Sequence, residues 1–150
     1  MLDHNALKRI LPQAYPFLML DRVVEYTEGQ SLIAIKNITA NEWFFQEAQD
    51  DPNKTKHFPE TLLIEAAAQA ALVLYHISKV KEGEKRLGYM LGRVQAEFRD
   101  VVTIGDQLKI QSFATKMMDK YGFADVKLST DFKKDIGEVR VIYSVVRDSI

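Results

Sequence analysis

Residues 59–80, PETLLIEAAAQAALVLYHISKV, decide the fold. Pro59 suits the first turn of a helix, where its missing N–H would have no partner in any case, and Glu60 is favoured there by the helix dipole. From Leu62 to Leu74 the stretch offers almost no polar face, because leucines, alanines, Ile64 and Val73 occupy every side of the cylinder. A helix that is apolar all round belongs inside a protein. Its alanines let neighbouring backbones approach closely, so the expectation is a central helix with protein on most sides. Two polar residues interrupt it: Glu65 and, one turn later on the same face, Gln69.

Outward from this helix the chain reads as β structure. Segments 19–28 and 31–37 are predicted strands joined at Glu28-Gly29-Gln30, and further strands are expected near 88–99, 106–118, 122–132 and 138–147. Val139, Val141, Tyr143 and Val145 recur with period two, as do Ala124, Val126, Leu128 and Thr130. Turns at Gly105-Asp106 and Asp135-Ile136-Gly137 make the late connections short, which favours antiparallel pairing over parallel crossovers. The polar run 49–56 reads as an exposed loop, and Lys81-Glu82-Gly83-Glu84-Lys85 ends the helix, with Gly83 available as a left-handed stop. One buried helix and five or six antiparallel strands are satisfied by a sheet curled around the helix. The predicted fold is therefore an α+β roll, one domain spanning residues 1–150.

Composition narrows the function classes. Twenty basic side chains nearly cancel 21 acidic ones, and the net charge of −1 gives no reason to expect nucleic acid or an anionic membrane surface. With no cysteine, disulfides, thiolate metal sites and cysteine nucleophiles are excluded together. The histidines His4, His57 and His76 form no recognisable metal-binding motif, and no metal or organic cofactor is expected. The first residues lack the apolar run of a signal peptide, and Glu65 and Gln69 break the longest apolar stretch, so a cytoplasmic protein is expected.

Four blocks then point to a family. Residues 11–23 (LPQAYPFLMLDRV), 36–46 (KNITANEWFFQ), 63–71 (LIEAAAQAA) and 98–108 (FRDVVTIGDQL) resemble, in order and over nearly the whole chain, the β-hydroxyacyl-(acyl carrier protein) dehydratases. The resemblance implies a hot-dog fold, in which a curved antiparallel sheet wraps a long central helix. It also implies a homodimer with joined sheets, often a trimer of dimers, and an acyl tunnel at the dimer interface. The substrate implied is a 3-hydroxyacyl thioester on acyl carrier protein or coenzyme A, dehydrated to the 2-enoyl thioester in fatty-acid or related lipid or polyketide synthesis. A histidine takes the C2 proton, a helix carboxylic acid helps the 3-hydroxyl leave, and N–H groups at the helix start polarise the thioester carbonyl.

Carried over residue by residue, Glu65 is the carboxylic acid. Enclosure by apolar surface favours the neutral form of a carboxyl group, which suits a general acid. The bland alternative is a buried glutamate satisfied by Arg22 or Arg93. Gln69 is placed to support Glu65, while His76 reads as an exposed residue near the helix end. Phe58, Glu60 and Thr61 fall at the helix start, around the substrate. The histidine has two readings. Continuing from Phe44-Phe45-Gln46 places Ala48 at the family's histidine position and aligns Phe58-Pro59-Glu60 with the family's Met-Pro-Gly. The other reading uses His57-Phe58-Pro59, eight residues before Glu65 and closer than the family spacing. In the family, Glu47 and Glu60 are glycines, and Gln13 and Ala14 are histidine and arginine.

Asp21-Arg22 reads as a structural ion pair. Tyr15, Phe17, Trp43, Phe44 and Phe45 are candidates to line an acyl tunnel, and Arg93, Arg99 and nearby lysines to meet an acidic carrier protein. Three functions follow: a dehydratase using Glu65 and His57, a hot-dog thioesterase using Glu65 alone, and an acyl-binding subunit without chemistry of its own.

Overall fold

The computed structural model describes residues 1–45, 57–84 and 86–147. The loop expected at 49–56, with Glu47, Ala48 and Lys85, lies outside the described residues. Strands β1 (Arg22–Thr27), β2 (Ser31–Asn37), β3 (Gly88–Phe98), β4 (Gln107–Met117), β5 (Tyr121–Thr130) and β6 (Gly137–Val146) form one sheet in the order β1-β2-β4-β5-β6-β3. Every pairing is antiparallel. The order follows from short connections: hairpins join β1 to β2, β4 to β5 and β5 to β6, while α2 lies between β2 and β3 in the chain and sends β3 to the far edge.

The period-two patterns do what they predict. Val139, Val141, Tyr143 and Val145 are buried on β6 while Glu138 and Arg140 face outward, and Ala124, Val126 and Leu128 are buried on β5. These inward side chains meet helix α2 (Glu60–Lys79), which packs on the concave face with its closest association to β4. From Ala66 to Tyr75 every residue of α2 is buried. By length and apolarity this helix is able to cross a membrane, but two thirds of it (67%) is already buried inside the protein.

Two local features depart from expectation. A short helix α1 (His4–Ile10) precedes the first strand, capped by Asp3, whose carboxylate accepts from the Ala6 N–H at 2.8 Å. Its buried Leu7 and Ile10, followed by Leu11, are the apolar spacing that could have revealed it. The helix stop also differs. α2 ends at Lys79 with Val80 in extended conformation, so Gly83, at φ +87°, serves a turn beyond the helix and not its cap.

Strand β3 is an edge: the eleven-residue strand pairs with β6 on one side, and most of its residues are exposed, including Met90 and Leu91. Its register shifts between Leu91 and Arg93, at Gly92.

Candidate active site

The site forms where α2 begins. Pro59 occupies the N-cap position and supplies no side-chain cap, while its carbonyl accepts from the N–H groups of Leu62 (3.0 Å) and Leu63 (3.1 Å). The amides of Glu60 and Thr61 are left at the open end, without an acceptor among the described residues. Both residues are exposed. Just upstream the chain is pinned to the strand-lead segment 101–104: the Phe58 N–H donates to the Val102 carbonyl at 2.6 Å, and His57 forms a β-bridge with Thr103.

Glu65 is half-buried, one turn past Thr61. Its Oε1 accepts from Gln69 Nε2 at 2.8 Å. Gln69 is fully buried and clamped on both ends: Nε2 also donates to the Phe17 carbonyl at 2.6 Å, and Oε1 accepts from the Met19 N–H at 2.8 Å. A backbone N–H requires an oxygen opposite it, and a backbone carbonyl requires N–H, so these two partners fix which way the amide lies. With one amide hydrogen committed to Phe17, the other can only face Glu65. The expected support of Glu65 by Gln69 is thus present, with Phe17 and Met19 as its unforeseen anchors. No ion pair joins Glu65 to Arg22 or Arg93 among the described residues, so the arginine partners suggested by sequence are not used.

His57 faces Glu60 instead of Glu65. Its Nε2 lies 3.7 Å from Glu60 Oε1, with about a third of the His57 side chain exposed (35%). Its Nδ1 is shielded from solvent and has no hydrogen-bond partner among the described residues. Phe58, placed near substrate by sequence, is enclosed at 1% exposure. It packs edge-to-face on Phe44 at 5.0 Å, since the segment that leads into the helix has to be anchored by something apolar.

Phe44 belongs to an aromatic series. Trp43, Phe44 and Phe45 form the short helix η1, Phe44 lies 4.7 Å from Phe45 and 5.4 Å from Trp43, and Trp43 reaches Phe17 at 6.3 Å. Phe45 and Phe58 are core, whereas Phe17, Trp43 and Tyr15 are exposed (51%, 45% and 87%), and Phe17 adjoins Gln69 through its carbonyl. Lys36, nearly buried on β2, holds this turn: its Nζ lies 2.6 Å from Glu42 Oε1 and also donates to the Asn37 carbonyl at 3.0 Å. Sequence reading passed over this ion pair. The signal was a lysine at the end of an apolar strand, six residues before a glutamate.

Other expectations are corrected by packing. Asp21 does not pair with Arg22; its Oδ2 accepts from the Asn37 N–H at 2.7 Å and so ties the residue before β1 to the end of β2. Arg99 grips Asp135 with two hydrogen bonds (2.7 and 2.9 Å) and lies near Glu97 and Glu138, so its charge is met by acidic side chains of its own chain. That grip holds the Asp135 carboxyl below its ordinary range. Arg93 is exposed on the β3 edge. His76 is half-buried at the opposite end of α2, with Nδ1 unpartnered among the described residues, and not the exposed residue anticipated. Desolvation lowers its pKa, opposed in part by Glu84. Grooves lined by Gln95, Glu97, Asp125, Lys127 and Arg140, and by Arg99, Gln111 and Lys134, lie on the charged outer face of the sheet, away from Glu65.

Comparison with known proteins fits this geometry. The FabA-like domain model matches residues 11–139. A 3-hydroxyacyl-[acyl-carrier-protein] dehydratase FabZ of Legionella pneumophila is 42% identical over 117 residues, covering 73% of this chain and 72% of its own. Its counterpart from Clostridium botulinum (strain Okra) is 37% identical over 138 residues, 88% of each chain. Among solved structures, the dehydratase heterocomplex ApeI:P from Xenorhabdus doucetiae superposes with a TM-score of 0.77 at 18% identity, covering 95% of this chain and 91% of that one. Zebra fish thioesterase superfamily member 2 gives 0.68 at 13% identity over 96% and 99%. The fold is the hot-dog fold, and the chain belongs to the FabA-like family together with the FabZ-type 3-hydroxyacyl-[acyl-carrier-protein] dehydratases.

Proposed function

We propose that this protein is a lyase that removes water from 3-hydroxyacyl thioesters carried on acyl carrier protein, giving the 2-enoyl thioester. The observation that carries the reading is the clamped Gln69–Glu65 pair beside the uncapped start of α2, in a chain of the FabA-like family. Glu65 gives its proton to the departing 3-hydroxyl, which leaves as water. Gln69 keeps the carboxyl group in one orientation, so little reorganisation accompanies the step. The open amides of Glu60 and Thr61 lie at the positive end of a 20-residue helix, suited to the thioester oxygen as negative charge develops there. His57, at the mouth of the same helix, takes the C2 proton. Phe58 acts behind this site by fixing the helix start.

The substrate's acyl chain needs a wall that one protomer lacks. Thr61, Ile64 and Glu65 share an incompletely covered helix face, and β3 presents an unpaired edge with exposed Met90 and Leu91. A homodimer joined through β3 supplies that cover, and dimers of this kind can assemble further into a trimer of dimers. Cytoplasmic synthesis of fatty acids or related lipids is the setting this reading implies.

The test follows enoyl-thioester absorbance when purified protein meets 3-hydroxyacyl carrier protein. Product formation is expected, with Glu65→Gln slower by at least about a hundredfold, the usual scale of a lost acid–base group. Absence of product across chain lengths, on either carrier protein or coenzyme A, rejects the dehydratase. A second reading is favoured by one contact: His57 faces Glu60, which leaves Glu65 with Gln69 as its side-chain partner. A lone carboxylate suits thioester hydrolysis, and Glu65-dependent release of free thiol without enoyl product would establish that activity in place of dehydration. Binding of acyl carrier protein without turnover would leave an acyl-binding subunit.

A further inference from the structure

We infer that Glu60 is a positioning residue for His57, and that the two act as one proton-accepting unit at the mouth of α2. The inference rests on the dehydratase reading and adds a role for a side chain that this reading uses only for its backbone N–H. Three observations combine. The His57 backbone is fixed by its bridge to Thr103 and by the adjoining 2.6 Å bond from Phe58 N–H to the Val102 carbonyl, so only side-chain torsions remain to aim the ring. Its Nε2 lies 3.7 Å from Glu60 Oε1, across the first turn of the helix. Its Nδ1 is shielded and has no hydrogen-bond partner among the described residues.

A neutral imidazole carries one N–H and one lone pair. A carboxylate beside Nε2 favours the tautomer with its hydrogen on Nε2, which leaves the lone pair on Nδ1, and a turn of the ring about its side-chain torsions brings that shielded nitrogen to the substrate as the proton acceptor. When Nδ1 accepts the C2 proton, the C–H bond pair passes into the C2–C3 double bond as the 3-hydroxyl departs, protonated by Glu65. The ring is then a cation at the positive end of α2, where the helix dipole opposes it. Glu60 supplies the compensating charge at that place. Its side chain is half-exposed (51%), which makes the effect one of orientation and local charge balance more than of burial.

Long-range 1H–15N correlation of the imidazole rings tests the pairing without reference to turnover. Three histidines make assignment by substitution direct. His57 is expected in a single Nε2–H tautomer in the wild-type protein and in a mixture in Glu60→Ala. On the 3-hydroxyacyl carrier protein substrate, Glu60→Ala is expected to lower kcat about tenfold with KM within about twofold, as befits a group acting through the base. Glu60→Gln should keep the fold and lose most of the same kcat. Identical ring-nitrogen shifts in wild type and Glu60→Ala overturn the pairing. Wild-type kcat in His57→Ala or Glu60→Ala, with Glu65→Gln inactive, overturns the proton-accepting role while the dehydratase reading stands. A wild-type protein without dehydratase activity overturns both that role and the dehydratase reading, and the ring spectrum then decides the pairing alone.

Discussion

Gln69 carries more of this site than a single amide usually does. It satisfies a buried N–H, a part-buried carbonyl and a carboxylate at once, the first two from the segment before β1 and the third from its own helix. Gln69→Leu keeps the volume and removes every one of those bonds, leaving Met19 N–H and Phe17 C=O unpaired beside the core. At about 1–3 kcal/mol for each stranded group, a loss of roughly 2–6 kcal/mol is expected in denaturant unfolding, with turnover falling as Glu65 loses its orientation. Unchanged stability would mean that the 15–20 segment is held by other contacts. At the far end of α2, His76 makes the opposite kind of prediction. Desolvation puts its folded-state pKa below the unfolded value of about 6.5. The unfolded chain therefore takes up the proton first, so the stability it contributes is complete above that pH and is lost as pH falls through it. Between pH 7.5 and 5.5 the denaturation midpoint should drop further in the wild type than in His76→Gln.

At the scale of elements, close approach between strands limits what the sheet tolerates. A Cβ on Gly122 would stand 2.3 Å from the Tyr143 hydroxyl, and Tyr143 itself packs edge-to-face with Tyr75 and Tyr89. Tyr75 in turn ties α2 to the β4–β5 turn by donating to the Met118 carbonyl at 2.7 Å. Gly122→Ala must displace this ring cluster, and a loss of about 1–3 kcal/mol in thermal or chemical unfolding is expected. A double variant with Tyr143→Leu should recover part of it, since the smaller side chain frees the space. The same logic of one element bracing another runs through the site. Lys36 on β2 holds Glu42, the aromatic turn that follows braces Phe58, and Phe58 sets where α2 begins.

For the whole molecule, the unpaired β3 edge is the feature that a lone protomer leaves unresolved. An eleven-residue edge with exposed Met90 and Leu91 invites pairing, and a two-fold axis across it would join two sheets into one. Leu91→Lys is expected to shift the protein to monomers in light scattering and to lower dehydratase activity with it. Monomers that retain full activity would show that each chain carries a complete site by itself.

The sequence by itself determined the central helix, the alternation of the strands and the family. These depend on local spacing: an apolar cylinder has nowhere to go but inside, and period-two strands must turn one face to it. It also placed Glu65 and Gln69 one turn apart, because helical geometry makes that neighbour relation certain. The tertiary structure alone decided which groups they meet. That Gln69 is anchored by Phe17 and Met19, that Lys36 reaches Glu42, and that Arg99 belongs to Asp135 depends on how distant segments pack. The short α1 helix escaped a reading centred on long periodic segments, since seven residues offer only two turns of pattern. His57 shows the same division. Its place before the helix was legible, but that its side chain meets Glu60 and not Glu65, and that its backbone bridges Thr103 across 46 residues, appear only in the folded chain.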